Sequence, residues 1–503
     1  MELTPSACYR AVLARDPRYD GRFFTCVKTT GIYCRPICPA RPPRLENCRF
    51  VRTAAAAQAA GFRPCLRCRP ESSPDLDAWR GTSSTVSRAL RLIEGGALDS
   101  GDVASLADRL GIGERHLRRL FLRHIGAAPV TVAQTRRVLL ARQLIHQTKL
   151  SMIQVALASG FGSVRRFNET FQQLYHRPPS ALRRGGGAAR SSAPDISLLL
   201  PYRPPYDWRA MMDFLRARAI GGLEVVEGDR YSRVIELEGV TGSITVSHAP
   251  RQSALRVIVR FGRLDCLPVI IARIRRMFDL SVDPGAVAAV LSSDPLLTPL
   301  VSSRPGLRVP GGWDGFEIAV RAVLGQQITV KAATLLATRI VSEIGSEVAD
   351  STSVPGLTHA FPRPQDFKAG ILARLGMPTG RAVALAGVAA AIGADERLFD
   401  PSRDLDESVA RLRELPGVGE WTAQYIAMRA LGESDAFLAG DVGIQRKLAV
   451  PGARRSTTAK LLTRAEHWRP WRAYAVMHLW MGDSQTPQTS SRKTKETHHA
   501  VMA

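Results

Sequence analysis

From residue 84 to 183 apolar side chains return at helical intervals. Val103, Leu106, Ala107 and Leu110 follow i, i+3, i+4, i+7 up to Gly111, and Leu117, Leu120 and Phe121 mark a second helix beyond that break. The arrangement repeats with Ile153, Ala156 and Leu157, a break at Gly160, then Val164, Phe167 and Phe171. The spacing predicts two helix pairs with these residues on their inner faces. Further on the period changes. Val234-Ile235-Glu236-Leu237-Glu238 and Ser243-Ile244-Thr245-Val246-Ser247 alternate and are separated by glycine, which predicts an antiparallel sheet to about residue 285. From Trp313 to Trp480 helical spacing resumes.

Two stretches interrupt these patterns. Arg69 to Pro74 reads as an exit linker, and Gly185-Gly186-Gly187 through Pro194 has nothing to pack. The expected fold is multidomain: a small α/β domain over 1–75, an all-α domain over 84–183, a flexible linker over 184–197, an α+β antiparallel-sheet domain over 198–300, and an all-α domain over 301–482. Residues 483–503, loaded with Ser, Thr, Gln, Lys and His, are expected to be a disordered tail.

Composition adds a partner. At 503 residues the chain exceeds what one core serves, and 45% hydrophobic content suffices for several. With 69 Lys+Arg against 45 Asp+Glu, the net charge of +24 favours polyanions, above all nucleic acid. No apolar run reaches the roughly 20 residues of a membrane helix, and the N-terminus lacks a basic region followed by an apolar stretch, so a cytoplasmic location without a membrane partner is expected.

Seven of the eight cysteines precede residue 70, which in a reducing compartment points to metal rather than disulfides. Cys34-Arg35-Pro36-Ile37-Cys38 and Cys65-Leu66-Arg67-Cys68, with 26 residues between, have the spacing of a zinc site, one Zn2+ per chain. Four thiolates on one zinc carry about −2, leaving an electron-rich sulfur. From spacing alone, a zinc knuckle that only holds the fold is the simpler reading. Cys8, Cys26 and Cys48 have no paired spacing and are expected to be buried small residues. Thr29-Thr30-Gly31-Ile32-Tyr33-Cys34 and Ala60-Gly61-Phe62-Arg63-Pro64-Cys65, with the cysteine pairs, resemble the N-terminal domain of the Ada family across residues 8 to 72. That resemblance implies that Cys34 irreversibly takes a methyl group from a DNA methylphosphotriester. It also implies DNA contacts at Thr30, Arg35, Arg41 and Arg63.

Between the apolar positions of the helix pairs lie Arg115, Arg118 and Arg119, then Arg165, Arg166 and Asn168, placed to face a major groove. A bundle with a solvated basic face explains one such unit nearly as well, though two in tandem favour DNA reading. Ala158-Ser159-Gly160-Phe161-Gly162-Ser163 through Tyr175-His176-Arg177-Pro178-Pro179 resembles the paired helix-turn-helix domain of AraC-type activators. The resemblance implies sequence-specific binding of double-stranded DNA, with RNA polymerase a candidate partner and the monomer the expected unit.

Leu415-Pro416-Gly417-Val418-Gly419 reads as a tight turn before a helix opening at Trp421-Thr422-Ala423, a natural phosphate seat formed by Gly417, Gly419 and Thr422. Asp441, after Gly440 and opening another apolar-periodic stretch, reads by itself as a helix N-cap. With Pro205-Tyr206-Asp207-Trp208, Ala322-Val323-Leu324-Gly325-Gln326-Gln327 and Trp468-Arg469-Pro470-Trp471, these segments resemble AlkA-type 3-methyladenine glycosylases of the helix-hairpin-helix superfamily. The resemblance implies that Asp441 is catalytic, that Phe214, Trp421, Tyr425 and Trp480 form an aromatic base pocket, and that Gln327 fills the gap left by a flipped base. Relatives that also cut the strand carry lysine where Trp421 stands, so a monofunctional hydrolase is expected. No cysteine follows Cys266, which excludes a four-cysteine iron–sulfur cluster in this half. No Pro-Cys-His-Arg segment occurs, so the guanine-oxygen methyl acceptor of typical Ada chains is not expected. The alternative is a methylation-activated regulator whose glycosylase half is inactive.

Overall fold

A computed structural model describes residues 3–74, 85–183, 195–348, 354–401, 403–449 and 455–482. Among them, no helix is long and apolar enough to cross a membrane. The expected tail and most of the expected linker lie outside the described residues.

The N-terminal unit is a four-stranded sheet of β1 (Phe24–Val27), β2 (Ile32–Cys34), β3 (Cys48–Val51) and β4 (Arg63–Pro64) in the order β3-β1-β2-β4. Gly31, at φ +63°, takes the left-handed corner of the β1–β2 turn that a side chain would strain. β2 and β4 pair in parallel with Tyr33 opposite Pro64, and Cys65 N–H donates to the Tyr33 carbonyl at 3.0 Å. This single pairing joins the two cysteine pairs, which are remote in sequence.

Helices Val103–Arg109 and Glu114–His124 form the first helix-turn-helix, and Met152–Ala158 and Val164–Tyr175 the second. The 19-residue helix Pro129–Gln147 runs between them. Ile153 and Leu157 depart from expectation: they are 60% and 46% exposed, while Val155, Ala156 and Ala158 are buried. The segment Met152–Ala158 is apolar nearly all round, so periodicity could not choose its inner face.

Strands β5 (Ile196–Pro201), β6 (Glu224–Glu227), β7 (Arg230–Leu237), β8 (Val240–Ala249) and β9 (Ala254–Phe261) make an antiparallel sheet in the order β5-β9-β8-β7-β6. β5 begins inside the span read as linker. One apolar core runs from Val138, Leu144, Phe167 and Phe171 of the second helix-turn-helix into Leu198, Tyr231, Val257 and Ile270 of the sheet domain. The halves expected to hang on a flexible tether therefore share a core. Polar contacts extend it: Arg22 binds Asp283, Arg91 binds Glu433, Arg109 binds Asp400, and Arg203 donates to the Asp20 carbonyl at 2.6 Å.

The C-terminal helices pack around a second large core that includes Val323, Leu385, Ala423, Ile426 and Trp468. A buried charge network fastens it to the sheet. Arg233 of β7 bonds Glu317 at 2.7 Å and Arg321 bonds Glu224 at 2.6 Å, so each buried charge is met by an opposite one.

Candidate zinc centre, DNA-reading helices and base pocket

The Sγ atoms of Cys34, Cys38, Cys65 and Cys68 lie within 4.8 Å of one another. With Zn–S bonds of about 2.3 Å, tetrahedral sulfurs sit just under 4 Å apart, so the set fits one zinc ion. The sulfurs are not equivalent. Cys65 accepts the Arg67 backbone N–H at 3.4 Å and Cys68 that of Arg35 at 3.3 Å, and Cys38 accepts the Ala40 backbone amide. Among the described hydrogen bonds Cys34 Sγ receives no amide, and Cys34 is only half-buried, whereas Cys65 and Cys68 are buried.

Thr30 and Arg41 are exposed and Arg63 is half-buried. Arg35 is placed differently from the other three. Its guanidinium grips Asp20 and donates to the Cys68 carbonyl at 3.2 Å, leaving its side chain 12% exposed. Cys8 and Cys26 are buried, and burial pushes the Cys26 thiol up to about 12. Cys48 is only partly covered, with Sγ donating to the Arg44 carbonyl.

On the reading helices, Arg115, Arg118, Arg119, Arg165, Arg166 and Asn168 are all exposed. Leu117 and Phe121 bury the opposite face of one helix, and Phe167 and Phe171 that of the other. Arg118 and Arg165 are engaged in i,i+4 pairs with Glu114 and Glu169, surface contacts weak enough to exchange for a phosphate or base edge.

In the C-terminal half, helix Glu420–Arg429 begins after Gly419. Gly417 has φ +77°, and a Cβ there would stand 2.6 Å from the Ala384 Cβ, so both backbone and space demand glycine. Thr422 is buried and its hydroxyl accepts from Gln326, so its side chain faces inward rather than toward the surface. One turn apart on that helix, Trp421 and Tyr425 stack at 5.2 Å and 18°, and Trp480 closes on Tyr425 at 6.4 Å. Asp441 caps helix Val442–Lys447 by accepting the Ile444 amide on Oδ1, and Trp421 Nε1 donates to Oδ2 at 3.1 Å. The capping carboxylate is thus also hydrogen-bonded to one of the stacked rings.

Phe214 does not join the other three rings among the described ring contacts. It is buried under two guanidiniums, with Arg218 3.8 Å and Arg429 4.8 Å from its centroid. Arg429 also donates to the Tyr425 hydroxyl at 2.7 Å. Burial raises that hydroxyl, but Arg429 and Arg218 outweigh it and hold it below the usual phenol range. Sequence reasoning missed both arginines, because a single Arg in an amphipathic helix carries no signal. Gln327, exposed at φ +60°, sits on the turn between helices Gly315–Leu324 and Val330–Ile344.

Comparison with known proteins agrees with this layout. Residues 7–71 match the metal binding domain of Ada, 106–185 a helix-turn-helix domain, and 197–314 the AlkA N-terminal domain. A probable bifunctional transcriptional activator/DNA repair enzyme AlkA of Mycobacterium tuberculosis is 40% identical over 480 residues, covering 94% of this chain and 95% of its own. DNA-3-methyladenine glycosylase 2 of Escherichia coli is 34% identical over 57% of this chain and 98% of its own length. The bifunctional transcriptional activator/DNA repair enzyme Ada of the same organism is 34% identical over 37% of this chain and 50% of its own. The chain belongs to the family of bifunctional transcriptional activator/DNA repair enzyme AlkA proteins, a fusion of an Ada-type zinc and helix-turn-helix half with an AlkA-type glycosylase half.

Proposed function

We propose that this chain excises alkylated bases such as 3-methyladenine from double-stranded DNA and separately accepts methyl groups from DNA methylphosphotriesters at Cys34, coupling repair to promoter binding. The observation that carries the first activity is the Trp421–Asp441 contact at the mouth of the aromatic stack. A flipped cationic purine is held against the electron-rich faces of Trp421, Tyr425 and Trp480. As the N-glycosidic bond breaks, its electron pair leaves with the base, which becomes neutral. Positive charge develops on the sugar, where the Asp441 carboxylate stabilises it until water adds at C1′ and gives up a proton to solvent. Trp421 occupies the position from which a lysine would attack, so no covalent enzyme–sugar bond forms and the abasic strand stays intact.

At the other centre, Cys34 receives no backbone amide among the described hydrogen bonds and, like Cys38, is only half-buried, whereas Cys65 and Cys68 are buried and each accept an amide. Zinc, when bound, keeps the sulfurs as thiolates. Cys34 Sγ forms the new S–CH3 bond, the methyl C–O bond breaks, and its electron pair returns to the phosphate, which regains its charge. The loss of one thiolate charge strengthens attraction to DNA, making the transfer a one-way switch. Thr30, Arg41 and Arg63 contact the DNA backbone in this reading, and the two reading helices contact the promoter. The active unit is a cytoplasmic monomer with RNA polymerase as partner of the DNA-bound state. Release of free base from methylated duplex, compared among the intact chain, Asp441→Asn and Cys34→Ala, tests the reading: loss in the first variant and retention in the second are expected.

A further inference from the structure

The turn carrying Gln327 is not held by its own backbone alone. The neighbouring Gln326 uses both amide hydrogens: Nε2 donates to the Gly417 carbonyl at 2.8 Å and to Thr422 Oγ1 at 2.9 Å. Its backbone carbonyl accepts Arg381 Nη2, from helix Thr379–Ala394, at 2.7 Å. One residue thus ties the turn between helices Gly315–Leu324 and Val330–Ile344 to the positive-φ glycine of the hairpin, to the first turn of the helix bearing Trp421 and Tyr425, and to a third helix.

We infer that Gln326 is a positioning residue that makes the gap-filling turn, the phosphate hairpin and the base pocket move as one body. Gln327 holds a left-handed φ of +60° that an L side chain adopts only when its surroundings impose it, and the adjacent clamp on Gln326 supplies that imposition. Both hydrogen-bond acceptors belong to elements expected to touch the DNA. Seating a phosphate on the hairpin therefore sets the depth of Gln327. A carboxylate at 326 has the same shape but no hydrogens, and would face the Gly417 carbonyl oxygen with a like partial charge, so the clamp requires an amide. The inference rests on the glycosylase reading, since it assigns a wedge to Gln327.

The test uses the full chain and a duplex carrying 2-aminopurine at the target position, whose fluorescence rises when the base unstacks. Release of base from methylated duplex is followed in parallel under single-turnover conditions. Gln326→Glu is expected to reduce both unstacking per bound complex and release at saturating protein by about tenfold, a loss beyond any lowering of duplex affinity or thermal midpoint caused by the added charge. Thr422→Val, which removes one acceptor and leaves Gly417, is expected to fall between. A merely structural role would lower the midpoint and duplex affinity together and leave unstacking per bound complex unchanged, which would overturn the inference. So would wild-type unstacking by Gln326→Glu. Unstacking by the parent chain without base release would count against the catalytic reading only, since the variants are still ranked by fluorescence. A parent chain that unstacks nothing would overturn both.

Discussion

Trp421 Nε1 donates to Asp441 Oδ2 at 3.1 Å while the other oxygen of the same carboxylate caps helix Val442–Lys447. Two donors on two oxygens fix the plane of the carboxylate beside the stacked rings. The capping role and the chemical role are therefore compatible, and they separate under mutation because each uses a different property of the side chain.

Trp421→Phe keeps an aromatic face against Tyr425 but removes the indole donor. Base release is expected to slow by about tenfold, with the thermal midpoint little changed. Single-turnover release measured beside a melting curve checks this, and an unchanged rate would show that the indole bond does not orient Asp441.

Zinc removal should divide the two chemistries. Cys34 ends strand β2 and the other three ligands lie in the loops of the N-terminal unit, and neither large core includes any of them. Chelation is expected to abolish methyl acceptance and leave base release within about twofold. Methyl transfer from labelled methylphosphotriester DNA, with base release as the parallel readout, decides it.

Arg142, fully buried in the helix between the reading units, meets Glu71 at 3.1 Å just past the zinc ligands and donates toward the Cys65 carbonyl. Glu71→Ala leaves a buried guanidinium without its counter-charge and is expected to cost about 3 kcal/mol or more. Chemical denaturation checks the magnitude, and a loss below about 1 kcal/mol would mean water reaches the site.

The shared core predicts that the N-terminal half is not autonomous. A fragment ending at residue 183 would lose the sheet-domain part of the core that Val138, Leu144 and Ile145 share. Lower thermal stability and a tendency to associate are expected relative to the full chain, checked by melting and by light scattering. A fragment as stable as the intact chain would restore the tether picture.

What the sequence disclosed follows from distance along the chain. Cys34 with Cys38, Cys65 with Cys68, and Trp421 with Tyr425 are each within about one turn, so their spacing was legible. The parallel pairing of β2 with β4, which joins the cysteine pairs, is a non-local contact with no local mark. The same holds for the lodging of Arg35 on Asp20 and of two guanidiniums over Phe214. Glycine-rich composition at residues 185–187 reveals a chain that need not pack, and it is silent on whether the flanking domains touch.

The central claim is that Asp441 is chemically active and not only a cap. Asparagine caps a helix about as well as aspartate but carries no charge. Asp441→Asn should therefore keep the parent thermal midpoint and lose base release from methylated duplex by about a thousandfold. Release at the parent rate from the folded variant would contradict the account and leave Asp441 as a structural cap alone.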